Sequence, residues 1–259
     1  MTINRRQFIH TAAAFSGVTL LLPFAARAQA AMSDKFKSNA GDITVHPVAH
    51  ASFVMETPAG VIYCDPVGEA GQYSGFPKPD LILVTHEHGD HYNAETLAAL
   101  VEDTTSLITN PAVFAMLPED LKAKASQLAN GESSDWNGMG VEAIPAYNIT
   151  EDRLDFHPQG RDNGYVLSFD GFRVYISGDT ENIPEMKALE NIDVAFVCMN
   201  LPFTMDITQA ADGVNAFKPK YVYPYHFHGR DGGTQDPEEF AKLTGEETEV
   251  KIAQWYEPA

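Results

Sequence analysis

The chain has 259 residues and a formal net charge of -19 at pH 7. That length suits one α/β domain with a large core, and so acidic a surface repels nucleic acid and anionic lipid headgroups, so no nucleic-acid partner is expected. Its two cysteines, Cys64 and Cys198, each sit in an apolar run and read as buried free thiols, not nucleophiles.

In chain order, Arg5-Arg6-Gln7-Phe8 precedes a mostly apolar stretch and then Ala26-Arg27-Ala28-Gln29-Ala30-Ala31, the order of an export leader. The paired arginines point to the twin-arginine type. The expectation is a leader over 1–31, one domain over 32–259, and a periplasmic or secreted location. No stable membrane anchor is expected, because the apolar stretch falls short of the ~20 residues a bilayer needs. Residues 33–41 read as a short ordered-to-flexible lead-in. Short apolar or β-branched runs bounded by Gly, Pro and Asp predict strands at 43–46, 52–56, 61–65, 81–85, 106–109, 141–145, 165–169, 173–177, 194–198 and 221–223. Helices are predicted at 94–101 with Asn93 as cap, 118–129, 183–189, 208–217 and 237–243. Hairpins mixed with crossover helices argue for mixed sheets in an α/β fold.

Residues His86, His88, Asp90 and His91 crowd four donors into one loop after a strand, with Gly89 read as allowing a turn that other residues would resist. Imidazole and carboxylate at this density suit Zn²⁺ or a similar divalent ion. Asp179 and His226 also follow strand ends, where α/β sheets place ligands.

The unbroken His-x-His-x-Asp-His from His86 to His91, Gly178-Asp179-Thr180 and Pro224-Tyr225-His226 resemble the metallo-β-lactamase superfamily. His50-Ala51-Ser52-Phe53 and Ser177-Gly178-Asp179-Thr180 are similar to its ascorbate-phosphate-lactonase-like and phospholipase-D-like branch. The resemblance implies an αββα sandwich of two mixed β-sheets flanked by helices. It implies that His86 and His88 hold a first metal, that Asp90, His91 and His226 hold a second, and that Asp179 bridges both. The ion would be Zn²⁺, one or two per chain, with Mn²⁺ or Fe as alternatives. Where the family carries a further histidine this chain has Asn148. Three routes stay open: Asn148 ligates through its carbonyl oxygen, His50 or His157 substitutes, or one metal alone binds tightly.

The implied activity is a metal-dependent hydrolase that uses a metal-activated hydroxide on a small ester, lactone or phosphodiester, with Asp90 and Asp179 as catalytic groups. Arg161 and Arg230 flank the pocket loops and could neutralise a phosphate or carboxylate. Tyr147 would line the substrate wall and His228 would lie near substrate. Two other readings stand beside this one: a non-catalytic metal- or partner-binding protein on the same scaffold, and an iron-dependent redox enzyme. The oligomeric state is not readable from the sequence.

Overall fold

In strand β3 (Ser52–Thr57), Phe53 and Met55 belong to one apolar cluster and Val54 to another. The same alternation runs through β4 (Gly60–Cys64) and β5 (Leu81–Val84). Strands apolar on both faces must be covered on both sides. The computed structural model describes residues 33–256 and shows the cover; the expected leader lies outside the described residues.

One sheet takes seven strands in chain order: β1 (Asp34–Lys37), β2 (Asp42–Ala49), β3, β4, β5, β6 (Ser106–Thr109) and β7 (Ala125–Gln127). The second takes β8 (Ser133–Trp136), β9 (Met139–Ala146), β10 (Asp162–Phe169), β11 (Phe172–Ile176), β12 (Val194–Cys198), β13 (Tyr221–Tyr225) and β14 (Glu249–Val250). In both sheets the first three pairings are antiparallel and the last three parallel. The chain therefore traces one half-fold twice.

The inner faces meet through aromatic rings: Phe53 stacks on Phe196 at 4.1 Å between centroids, and Phe196 on Tyr223 at 5.0 Å. Over the outer face of the first sheet lie α1 (Ala94–Leu100), α2 (Pro111–Met116) and α3 (Glu119–Lys122), which set Leu97, Val113 and Leu121 against Val54, Ile82 and Val84. On the second sheet, α4 (Pro184–Lys187), α5 (Ile207–Phe217) and α6 (Pro237–Leu243) bury Met186, Val214 and Phe240. The result is an αββα sandwich. Asn93 caps α1 as expected, its side chain accepting from the Thr96 amide at 2.9 Å.

Two expected elements are corrected. Residues 34–37 are not a lead-in but an edge strand on β2, because Phe36 packs its ring 4.9 Å from Tyr221 and Asp34 accepts from the Tyr223 hydroxyl. The helix expected over 118–129 stops after one turn. Its Lys124 carbonyl accepts from Leu107 instead, and 125–127 join the sheet as β7, so ladder pairing overrides helix propensity. Cys64 and Cys198 are free and buried, and burial pushes the Cys198 thiol up to about 12.

Candidate metal centre

Four strand ends of the two sheets deliver side chains to one edge. Asp65 follows β4, the run Thr85 to His91 follows β5, Asp179 lies just past β11, and His226 follows β13. Gly178 makes the Asp179 placement possible: its φ is +60°, and a Cβ there would lie 2.6 Å from the Asn163 carbonyl. Gly89, by contrast, has no positive φ and open space around a Cβ, so the turn it occupies does not demand glycine.

Three triads of donors form here: His86, His88 and His157; His86, His91 and Asp179; His50, Asp90 and His226. Within each triad the donor atoms lie within 4.8 Å of one another. Asp179 stands at the centre. Its Oδ1 is 3.4 Å from His91 Nε2, and its Oδ2 is 3.5 Å from His157 Nε2 and 3.4 Å from His226 Nε2. The structure thus brings together the expected His86, His88, Asp90, His91, Asp179 and His226, and with them His157 and His50, the two histidines offered as substitutes for the one missing at Asn148.

Hydrogen bonds behind the rings aim them. Buried Asp65 accepts the Thr85 hydroxyl at 2.7 Å and amide at 2.8 Å, and His91 Nδ1 at 2.8 Å. With its own proton committed to Asp65, the Thr85 oxygen accepts from His86 Nδ1 at 3.0 Å. His157 Nδ1 donates to Asp162 Oδ2 at 3.0 Å. Each bond turns the Nε2 of its ring toward the centre, the arrangement that orients metal-binding imidazoles.

Those facing atoms have nothing else to bind. His86 Nε2, His91 Nε2, both ring nitrogens of His226 and Asp179 Oδ1 are buried without a hydrogen-bond partner among the described residues. Orphaned polar groups at this density are costly unless a ligand satisfies them. Imidazole nitrogen and carboxylate oxygen fit a divalent transition ion, which passes the test of donor chemistry.

Electrostatics point the same way. Burial pushes His86 and His226 below the ordinary histidine value, so both are neutral and able to ligate at pH 7. Burial opposes ionisation of Asp179, yet His226 and His91 hold its carboxyl well below the usual range. Burial likewise opposes Asp90, but the neighbouring His226 and His50 imidazoles keep it ionised. His91 runs the other way: against burial, Asp179 and Asp65 hold it protonated. His50, Asp65 and His226 all adopt positive φ, at 55°, 43° and 47°. Such backbone is sparsely populated and clusters at functional sites.

Where the family's further histidine was expected this chain has Asn148, and the ring that joins His86 and His88 is that of His157, nine residues on. The Asn148 amide N–H donates to the His157 carbonyl at 2.8 Å and closes the loop at its base. The Asn148 side chain donates to the carbonyls of Arg153 at 2.9 Å and Phe203 at 2.7 Å, which turns it into a loop brace. Buried Glu181 accepts the Ile149 and Thr150 amides, both at 2.7 Å, and Arg153 at 2.9 Å. Asn148→His should therefore lower the thermal midpoint without tightening metal binding, as calorimetry and metal titration would read.

The expected contacts of Arg161 and Tyr147 are corrected. Arg161 does not reach out for an anion: its guanidinium grips Asp162 at 2.6 and 2.9 Å and Glu87 at 2.9 Å, bracing the carboxylate behind His157. Tyr147 is buried and donates to Glu185 of α4 at 3.0 Å, away from any open wall. Arg230 is exposed and lies 4.9 Å above the Phe203 ring, and His228 is exposed with its ring stacked on Tyr256. Asp65, Asp162, Glu181 and Tyr256 escaped the sequence reading. The first left a trace, an acid ending the apolar run Val61-Ile62-Tyr63-Cys64. Asp65→Asn should weaken metal binding by about 10- to 100-fold, read by competition with a chromophoric chelator.

The sequence matches the model of the beta-lactamase superfamily domain over residues 44–226. The chain belongs to the metallo-β-lactamase superfamily. A superfamily relative named a metal-dependent hydrolase, from Thermococcus kodakarensis, is 30% identical over 229 residues, covering 82% of this chain and 96% of its own length. A crystal structure from Parabacteroides distasonis, also named for a metal-dependent hydrolase, is 40% identical with a TM-score of 0.78, over 86% of this chain and 99% of its own. A metallo hydrolase from Ignicoccus hospitalis shares the superfamily fold at 22% identity and a TM-score of 0.68, over 83% of this chain and 96% of its own.

Proposed function

We propose that this chain is a metal-dependent hydrolase of small esters, lactones or phosphodiesters, loaded with Zn²⁺ and working outside the cytoplasmic membrane. The observation that carries the reading is the position of Asp179 between the imidazoles of His91, His157 and His226, with unpartnered buried nitrogens around it. His86, His88 and His157 would hold one ion, Asp90, His91 and His226 the other, and Asp179 both. Divalent ions so held supply Lewis acidity and a means of ionising water near neutral pH.

The chain's own residues do the rest. Asp65 and Asp162 hold His91 and His157 by their Nδ1 atoms, so the Nε2 of each faces the centre. Asp90, with a side chain 49% exposed, forms the solvent-facing lip, where a substrate oxygen or water can meet its carboxylate. Arg230, beyond His226 on the loop after β13, offers a guanidinium to an anionic substrate group. An export leader fits the paired arginines at Arg5 and Arg6, and among the described residues no helix is long and apolar enough to cross a membrane.

The test combines metal analysis of the purified protein with a panel of p-nitrophenyl esters, lactones and bis-p-nitrophenyl phosphate. Two zinc or manganese ions per chain and turnover that His88→Ala abolishes support the reading. One weakly held ion without turnover would move the chain to a binding role, and tightly held, coloured iron to redox chemistry.

A further inference from the structure

We infer that His50 is an additional donor to the second metal position, held in place by Tyr256 of the C-terminal segment; this rests on the metal-centre reading above. The repeat in the fold is the first ground. His157 lies in the β9–β10 connection of the second sheet, and His50 lies in the β2–β3 connection of the first, the corresponding place in the repeated half-fold. The aspartates follow the same rule: Asp65 comes after β4 and Asp179 after β11, the matching strand. His157 completes the triad with His86 and His88. His50 completes the one with Asp90 and His226.

Local geometry is the second ground. His50 Nε2 lies 3.2 Å from Asp90 Oδ2, and the His50 and His226 ring centroids are 3.8 Å apart. The two residues are also tied through the backbone, the His226 amide donating to the His50 carbonyl at 3.1 Å. The left-handed backbone at both turns their rings toward the same carboxylate.

The third ground is what stands behind the ring. His50 Nδ1 is 2.9 Å from the Tyr256 hydroxyl oxygen, which also accepts the His228 amide at 3.2 Å. When Nδ1–H donates to that oxygen, Nε2 carries a lone pair aimed at the Asp90–His226 corner, the same device that Asp162 provides for His157. With the other tautomer, Nε2–H simply donates to Asp90. A cation at the corner selects the first. Tyr256 is itself fixed: Trp255 is buried against Phe53 and Tyr225, its carbonyl accepts the His50 amide at 3.0 Å, and the Tyr256 ring stacks on His228. The C-terminal segment thereby becomes part of the metal centre.

The experiment titrates Co²⁺ into the metal-depleted full chain and follows the visible absorption, whose intensity reports coordination number. Wild type is compared with His50→Asn, which tolerates left-handed backbone, with Tyr256→Phe, and with His88→Ala as reference for the other position. The inference predicts that His50→Asn weakens one of two binding steps by at least about tenfold and changes the spectrum. Tyr256→Phe should weaken the same step by about tenfold, leaving the other intact. Unchanged binding and spectrum in both His50→Asn and Tyr256→Phe, while His88→Ala loses the other step, overturn the inference alone. No Co²⁺ uptake by wild type overturns it together with the metal-centre reading. Should His50→Asn fail to fold, Tyr256→Phe decides the matter by itself.

Discussion

Asp179→Asn should leave a chain that retains less than half its metal and turns over substrate about a thousandfold more slowly. The carboxylate reaches toward His91 with one oxygen and toward His157 and His226 with the other, so no neighbour can stand in for it. The amide keeps the shape but presents an NH₂ group where two imidazole lone pairs converge, and it loses the charge that faces the cations. Several kcal/mol of lost electrostatic stabilisation correspond to about three decades in rate. Metal content by mass spectrometry and kcat/KM on the most active panel substrate check this. A variant with full metal and near wild-type rate would contradict it.

The second large effect is expected on metal removal. Chelation should abolish turnover and lower the thermal midpoint by about 5–10 °C, since an ion at a hundred times its Kd adds roughly 2.7 kcal/mol and each kcal/mol is worth about 2–4 °C at this chain length. The metal-free protein also has a defined response to pH. Burial keeps His86 and His226 neutral in the folded chain, so their contribution is present above the unfolded value of about 6.5 and is lost as pH falls below it. His91 has the opposite sign: its raised value contributes stability that is full below about 6.5 and fades as pH rises through the folded value. An ion entering at pH 7 must displace that His91 proton. Adding Zn²⁺ to the metal-free chain should therefore release about one proton or more per chain, read in a weakly buffered solution. Uptake without proton release would show that His91 is not displaced.

The strand ends were legible because β5, β11 and β13 are short runs rich in apolar and aromatic residues and the donors stand just beyond them. Apolar and β-branched runs bounded by Gly, Pro and Asp, and the crowded His86 to His91 loop, needed no tertiary knowledge. His157 was not assignable, because its place depends on a loop folded back by Asn148, Arg153 and Glu181, contacts that span up to 55 residues of chain. The same limit hid Asp162, whose partner is that histidine, and Tyr256, which meets His50 from 206 residues away. Edge strand β1 was obscured by Lys35 and Lys37, whose charges face outward while Phe36 alone enters the core. The 118–129 segment has helix-forming composition, and only the pairing of 125–127 with β6 explains why the helix gives way to a strand.

Anomalous diffraction from crystals of the metal-loaded chain, collected on either side of the zinc edge, addresses the central claim most directly. The account predicts two peaks, one among His86, His88 and His157 and one beside Asp90 and His226, with Asp179 between them. A peak elsewhere, or none in protein that retains turnover, would contradict it.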